Sequence, residues 1–132
     1  MNFCLIILAG GKSHRFKSNL SKPYQKIGGK SLIEININKA SKCKEIKKII
    51  VVYNKKDKKL IRSLDLKKVQ LVLGGKNRQE STYNALKKLV NIKKISNVLI
   101  HDAARPNFSS KLLNRMIQNM RNKKAVIPIL QI

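Results

Sequence analysis

The chain has 132 residues, of which 42% are hydrophobic and 27% charged, and its 30 Lys and Arg against 6 Asp and Glu give a net charge of +24. This length suffices for one domain with a hydrophobic core. No apolar run approaches the ~18 residues that a membrane-spanning helix needs. The apolar run at residues 3–8 is also too short for the hydrophobic part of a secretory signal. Cys4 and Cys43 predict no disulfide framework, and His14 and His101 lack partners at zinc-ligand spacing, so we expect a cytoplasmic protein without a structural metal.

Short apolar runs rich in Ile and Val alternate with longer amphipathic runs along the chain. The strands are nearly continuous in apolar residues, as in a parallel sheet that is covered on both faces. Ser31 and Glu34 have the spacing of a capping box at a helix start. The predicted fold class is α/β, a three-layer α/β/α Rossmann-like fold with a mostly parallel sheet. In chain order the predicted elements are strand 3–8, helix 32–40, strand 49–53, helix 57–64, strand 69–73, helix 81–90, strand 97–101, helix 109–122 and strand 125–129.

The last predicted strand, 125–129, reaches the end of the chain without a following helix or a polar tail. Such an ending leaves an apolar strand at an uncovered sheet edge. We therefore expect the domain to be truncated at its C-terminus.

The first unusual segment follows the first predicted strand, at the end where an open parallel sheet binds its ligands. In segment 8–15 (LAGGKSHR), adjacent Gly10 and Gly11 let backbone N–H groups approach phosphate oxygens. Arg15 and, further on, Lys22 are suited to neutralise a triphosphate. A dinucleotide motif fails here, because its third glycine would stand at Arg15. A Walker A motif that ends in Gly29, Lys30 and Ser31 fails too, because its first glycine would stand at Tyr24. A glycine turn with exposed basic residues explains this segment equally well.

Two further segments follow later strands. Segment 74–81 (GGKNRQES) offers a glycine backbone and the Ser81 hydroxyl to the edge of a base, although it is also a generic strand-to-helix connection. Segment 101–106 (HDAARP) places Asp102 at a strand end, where a carboxylate can hold Mg²⁺. The alternative for Asp102 is an ion pair with Arg105. No single segment decides the function.

Together and in this order, LAGGxxxRF, SKPYQKIGGKSLIE, GGxxRQES and HDAARP resemble the 2-C-methyl-D-erythritol 4-phosphate cytidylyltransferase family of the non-mevalonate isoprenoid pathway. The resemblance covers essentially the whole chain but only the N-terminal part of the family's domain. It implies that residues 1–132 form the nucleotide-binding part of a single cytidylyltransferase domain. It also implies CTP as substrate, Mg²⁺ as cofactor, a sugar phosphate as acceptor, and a homodimer in the full-length protein.

The resemblance also implies roles for individual positions. Arg15 and Lys22 would be catalytic and stabilise the charge that develops at the α-phosphate of CTP. Asp102 would bind Mg²⁺. The nucleotide-binding residues would be Ala9, Gly10, Gly11, Ser13, Gly75, Ser81 and Ala103.

The chain departs from the family pattern at several positions. Ser13 stands where the family has glycine, Pro23 follows Lys22 where the family's proline precedes the lysine, and Lys76 replaces an Asp that often follows the second glycine. The family's dimerising arm, its acceptor-binding residues and its final Lys and Asp are absent from the 132 residues. If these residues are the whole molecule, we expect weakened CTP binding and lost turnover.

Two alternatives remain open at this point. A ribitol-phosphate or other sugar-phosphate cytidylyltransferase shares the opening loop, but tends to read HDAVRP where this chain has HDAARP. A basic nucleic-acid-binding α/β domain would explain the charge of +24. Against it, the 24 Lys, 17 Ile and 13 Asn all have AT-rich codons, the lysines are spread along the chain, and aromatic residues make up only 5%. Nucleic acid is therefore the less favoured partner.

Overall fold

The computed structural model describes residues 1–11 and 20–131. No helix in these ranges is long and apolar enough to cross a membrane. Three short 3₁₀ turns join the regular elements, at Lys22–Tyr24, Lys55–Asp57 and Met120–Asn122. The strands are β1 (Phe3–Ala9), β2 (Lys26–Ile27), β3 (Lys30–Ser31), β4 (Ile46–Tyr53), β5 (Val69–Leu73) and β6 (Asn97–Asp102), and the helices are α1 (Leu32–Ser41), α2 (Lys58–Ser63), α3 (Arg78–Lys87) and α4 (Ser110–Asn119).

The main sheet has four parallel strands in the order β5-β4-β1-β6. Strand β1 lies between β4 and β6, and its Ile6 pairs with Ile50 on one side and Ile100 on the other. Because all four strands run the same way, their carboxyl ends meet at one edge of the sheet. This edge is where the prediction from sequence places a ligand.

Helices cover both faces of the sheet, and each face has its own core. Phe3, Leu5 and Ile7 of β1 pack with buried residues of α1, α2 and α4, among them Ile33, Ile61 and Leu113. The alternate residues Cys4 and Ile6 pack on the opposite face with Ala85 of α3. This division follows from the two-residue period of a strand. The predicted three-layer α/β/α fold with a mostly parallel sheet is confirmed.

A small hairpin precedes α1. Its strands β2 and β3 pair antiparallel, with Lys26 opposite Ser31 and Ile27 opposite Lys30. The two-residue turn between them has φ of 59° at Gly28 and 80° at Gly29, and a turn with two positive φ angles favours glycine at both positions. The second glycine pair of the chain therefore makes a hairpin turn, in agreement with the rejection of a Walker A motif.

The predicted capping box at the start of α1 is confirmed. The Ser31 hydroxyl oxygen accepts a hydrogen bond from the Glu34 backbone N–H at 3.2 Å, and the Glu34 carboxylate accepts one from the Ser31 N–H at 2.7 Å. The two bonds satisfy two backbone donors that a helix start otherwise leaves without partners.

Replacing Ser31 with alanine should lower the free energy of unfolding by about 1 kcal/mol, the usual cost of losing such a cap. Urea unfolding followed by circular dichroism measures this change. Ser41→Ala is the matched control, because the Ser41 hydroxyl only donates back to the Ile37 carbonyl at the exposed end of the same helix. Equal losses in the two variants would contradict the prediction.

The strand predicted at 125–129 is wrong. The described chain has no regular secondary structure after the turn at Met120–Asn122, and Ile127 and Ile129 are 80% and 87% exposed. An apolar run is held as a strand by the neighbour with which it pairs, and this segment does not join the sheet. Pro128, in its middle, has no N–H to donate to such a neighbour.

Candidate functional site

The first and third predicted segments meet at the carboxyl edge of the sheet. The N–H of Ala103, directly after β6, donates to the Leu8 carbonyl of β1 at 3.0 Å. On the other side of β1, the side-chain amide of Asn54 donates to the Gly10 carbonyl at 3.3 Å. The backbone at Leu8 and Gly10 is thus held from the ends of both neighbouring strands.

The second segment joins the same edge through Ser81. The Gly74 N–H donates to the Tyr53 carbonyl at 2.8 Å, and the Gly75 N–H donates to the Ser81 hydroxyl oxygen at 3.0 Å. A Cβ placed on Gly74 would lie 3.0 Å from the Ser81 oxygen, and one on Gly10 would lie 3.8 Å from it. The Ser81 hydroxyl therefore lies where the first and second segments meet, and it is only 5% exposed.

Helix α3 begins directly after the glycines of the second segment. The Asn77 side-chain oxygen accepts from the Glu80 N–H at 2.8 Å, and the Glu80 carboxylate accepts from the Lys76 N–H at 3.0 Å. A Cβ on Gly75 would come within 2.3–2.6 Å of the Glu80 side chain. Glycine is needed at this position to let the turn close against the helix start, where backbone N–H groups favour an anion.

Asp102 lies between two arginines. Its carboxylate is 3.3 Å from the Arg78 guanidinium of the second segment and 3.6 Å from that of Arg105. The pair with Arg105 is the alternative that the sequence left open, and the pair with Arg78 links the second segment to the third. The arginine side chains are 64% and 79% exposed and that of Asp102 is 37% exposed, so these ion pairs are held only weakly.

The Asp102 carboxylate fits a Mg²⁺ ion that is held together with the phosphates of a substrate. Mg²⁺ commonly takes one or two carboxylates together with phosphate oxygens of the substrate and water. Asp102 is one partly exposed carboxylate, and its two arginine partners are themselves largely exposed. The described residues contain no group of three or more His, Cys, Asp and Glu side chains that would hold a cation without a substrate.

Helix α1 fixes the loop that follows Asp102. The buried side-chain amide of Asn36 donates to the Ala103 carbonyl at 2.8 Å. The Lys39 ammonium donates to the Pro106 and Phe108 carbonyls and lies 5.4 Å from the centre of the Phe108 ring. The loop is therefore positioned by tertiary contacts and not by its own sequence alone.

His101 contacts the far side of this loop, and its titration makes the stability of the fold depend on pH. Its Nε2 lies 2.7 Å from the Arg105 carbonyl oxygen, which can only accept, and its ring packs edge-on against Phe108. Burial lowers the pKa of His101 below its usual value, because the charged ring loses water. The unfolded chain therefore takes up the proton first. This contribution to stability is complete above the usual pKa of about 6.5 and is lost as the pH falls below it.

We expect the free energy of unfolding to fall between pH 7.5 and 5.5, and to fall less in His101→Phe than in the wild type. Urea unfolding at the two pH values measures the difference. Equal pH dependence in His101→Phe and the wild type would show that His101 does not supply it.

Lys22 lies on an anchored turn. It begins the 3₁₀ turn Lys22–Tyr24, in which Pro23 and Tyr24 are buried while Lys22 is exposed. The Tyr24 N–H donates to the Ser21 carbonyl at 2.9 Å. Arg15 and Ser13, the other predicted residues of this part of the chain, lie outside the described residues.

The remaining predicted site residues differ in exposure. Gly11 is exposed, whereas Ala9 and Ala103 are 1% and 0% exposed. Direct contact of these two alanines with a nucleotide stays a prediction and would require the loops to move. In this structure both alanines are part of the hydrophobic core below the site, at the ends of β1 and β6.

Sequence reasoning missed three residues that organise this edge. Arg78 lies in segment 74–81, which the sequence analysis had already selected, and a positive charge close to two glycines could have indicated its role. Asn54 comes directly after a predicted strand, the same position that had drawn attention to Asp102. Asn36 gave no signal, because a polar residue within an amphipathic helix is ordinarily solvent-facing.

A parallel α/β sheet with glycines, a helix start and charged side chains at its carboxyl edge defines the Rossmann-like class of folds, in which ligands bind at this edge. The profile of the family described as IspD, 2-C-methyl-D-erythritol 4-phosphate cytidylyltransferase, matches residues 3–132. The chain belongs to this family.

Relatives and solved structures agree with this assignment. The chain is 49% identical over 131 residues to the bifunctional enzyme IspD/IspF of Pelagibacter ubique, covering 99% of this chain and 35% of that protein. It is 37% identical over 127 residues to the 2-C-methyl-D-erythritol 4-phosphate cytidylyltransferase of Thermosipho melanesiensis, covering 92% and 56%. The 4-diphosphocytidyl-2C-methyl-D-erythritol synthase of Anaerococcus prevotii has a TM-score of 0.73 at 30% identity, covering 98% of this chain and 59% of that one.

The chain is shorter than these proteins. It spans 35% of the Pelagibacter relative and 56% of the Thermosipho relative. Against the bifunctional IspDF structure from Campylobacter jejuni the TM-score is 0.75 at 28% identity, and 31% of that chain is covered.

Proposed function

We propose that this chain forms the CTP-binding part of an enzyme that transfers a cytidylyl group from CTP to 2-C-methyl-D-erythritol 4-phosphate and releases pyrophosphate. The observation that carries the proposal is the meeting of Gly10, Gly75 with Ser81, and the Asp102 loop at one sheet edge. Membership of the family supplies the substrate class.

In the proposed reaction, an oxygen of the acceptor phosphate bonds to the α-phosphorus of CTP. The bond between that phosphorus and the oxygen bridging to the β-phosphate breaks, and pyrophosphate leaves with the electron pair. Arg15 and Lys22 stabilise the negative charge that grows on the α-phosphate oxygens. Removing one such fixed donor typically costs ~2.7–4 kcal/mol of barrier, or about 10²–10³ in rate. The reaction needs positioning and electrostatics rather than a covalent intermediate.

The other residues bind and orient the nucleotide. The backbone at the half-buried Gly10 and the exposed Gly11 approaches the triphosphate, together with Ala9 and Ser13. The cytosine edge lies at Gly75 and Ser81, and the ribose lies near Ala103. Asp102 would hold Mg²⁺, which supplies a positive charge shared among the phosphate oxygens.

Asp102→Asn should remove most of the Mg²⁺ dependence of CTP binding, because the amide is a poor ligand for this cation. The free energy of unfolding should change by less than about 1 kcal/mol, since the ion pairs of Asp102 are exposed. Calorimetric CTP titrations with and without Mg²⁺ measure the first effect. Asp65→Asn, an exposed carboxylate elsewhere, is the control of equal charge. Unchanged Mg²⁺ dependence in Asp102→Asn would remove Asp102 from the proposal.

The acceptor is tested by pyrophosphate release from CTP with 2-C-methyl-D-erythritol 4-phosphate and, separately, ribitol 5-phosphate. The proposal predicts faster release with the former. Faster release with ribitol 5-phosphate would favour that alternative. If the chain binds CTP but releases pyrophosphate with neither acceptor, only the CTP-binding part of the proposal would stand.

A homodimer of the full-length protein and a cytoplasmic location belong to the same proposal. The support for the location is that both cysteines, Cys4 and Cys43, are free thiols, as is usual in a reducing compartment.

A further inference from the structure

Asp57 is a buried carboxylate whose hydrogen-bonding partner, Ser21, lies far away in the sequence. It is 4% exposed, and burying a carboxylate is costly unless the charge is hydrogen-bonded. The Ser21 hydroxyl, 36 positions earlier, lies 3.1 Å from one carboxylate oxygen and 3.3 Å from the other. This charge-assisted contact ties the segment before Lys22 to the segment after β4.

The helix that follows does not use the Asp57 carboxylate. Asp57 stands at the cap position of α2 but makes no side-chain capping hydrogen bond, although Asp is a favoured capping residue. Its N–H donates to the Asn54 carbonyl at 2.9 Å, and the Asn54 side chain holds Gly10. The Asp57 backbone is therefore linked through Asn54 to Gly10 of the site, while the Asp57 carboxylate accepts from Ser21.

The buried side of the turn that carries Lys22 lies within electrostatic range of the Asp57 carboxylate. Tyr24 is 3% exposed, and burial together with the Asp57 charge raises its pKa. The Tyr24 N–H donates to the Ser21 carbonyl. Ser21 is thus bound by its side chain to Asp57 and by its main chain to the turn.

We infer that Asp57 is a positioning residue that holds the Lys22 turn at the nucleotide site through the Ser21 hydroxyl. The inference rests on the proposed function for the role of Lys22, but the hold of Asp57 on the turn is a separate, measurable property. In this inference Asp57 acts on Lys22 through its contact with the Ser21 hydroxyl.

The test compares Ser21→Ala, which removes the donor, with Ser21→Thr, which keeps a hydroxyl. Asp57→Asn weakens the contact from the other side, and Asp65→Asn removes an exposed charge as its matched control. Urea unfolding first establishes that each variant folds. Hydrogen exchange of peptide 20–25 then reports the hold on the turn, and CTP titration reports its consequence.

We expect exchange in peptide 20–25 to rise on the order of tenfold in Ser21→Ala and CTP affinity to fall on the order of tenfold, the size of one charge-assisted hydrogen bond. Asp57→Asn should move both in the same direction, while Ser21→Thr and Asp65→Asn should stay near the wild type. In a Lys22→Ala background, Ser21→Ala should cause no further loss of CTP affinity. If Ser21→Ala instead disturbed the structure in general, it would weaken CTP binding in this background as well.

Unchanged exchange of peptide 20–25 in folded Ser21→Ala and Asp57→Asn overturns the inference, whatever the protein binds. Faster exchange with unchanged CTP affinity also overturns it, because the turn would then not position Lys22. If the wild type binds no CTP, the proposed function fails. Faster exchange in the variants would in that case still support the hold of Asp57 on the turn.

Discussion

Lys22→Ala is expected to weaken CTP binding by about 10–100-fold, the range for losing one hydrogen bond to a charged group. Lys22 is exposed at the start of a turn whose next two residues are buried. The backbone that carries its charge is therefore held in place by the core. The free energy of unfolding should change by less than ~0.5 kcal/mol, as at most exposed positions. Isothermal calorimetry gives the affinity and urea unfolding gives the stability.

Lys26→Ala is the matched control for this variant. Lys26 is an exposed lysine of β2, four positions further along, and the net charge changes by the same amount. Its loss should weaken CTP binding no more than about twofold, by reducing the general positive field. Equal weakening in the two variants would show that total charge, and not the position of Lys22, attracts the nucleotide.

Ile50→Ala is expected to lower the free energy of unfolding by about 2–5 kcal/mol, the cost of deleting a buried isoleucine side chain and leaving a cavity. Ile50 is completely buried in β4, pairs with Ile6 of the central strand, and belongs to the core beneath α3. Since a domain is stable by only ~5–15 kcal/mol, this loss is a large part of the total. Chemical unfolding by urea measures it.

Ile127→Ala removes the same atoms from a side chain that is 80% exposed, and it should change stability by less than ~0.5 kcal/mol. The difference between the two variants tests the described core directly. A loss at Ile127 as large as the loss at Ile50 would contradict the exposed placement of residues 125–130.

The regular elements that the sequence predicted well are those with a strong local signal. Continuous Ile and Val runs marked the four strands of the sheet, and Ser31 with Glu34 marked the start of α1. The hairpin at Gly28 and Gly29 was missed, because two-residue strands have no periodicity to detect. Helix α3 begins at Arg78 instead of 81 since Asn77 caps it, and it ends early enough to leave Val90 79% exposed.

The candidate site was predicted to the level of segments. The rule that ligands bind at the carboxyl edge of a parallel sheet placed three stretches together correctly, because their positions follow from the strand ends. The contacts within the site depend on packing between distant elements. Asp102 with Arg78, Asn36 with Ala103 and Ser21 with Asp57 join residues 24, 67 and 36 positions apart, and no local pattern reveals them.

Calorimetric titration of the wild-type chain with CTP, in the presence and absence of Mg²⁺ and against ATP, GTP and UTP, tests the central proposal most directly. The proposal predicts binding that is selective for CTP, strengthened by Mg²⁺ and weakened about 10–100-fold in Lys22→Ala. The absence of selective nucleotide binding by a chain that unfolds cooperatively in urea would contradict it.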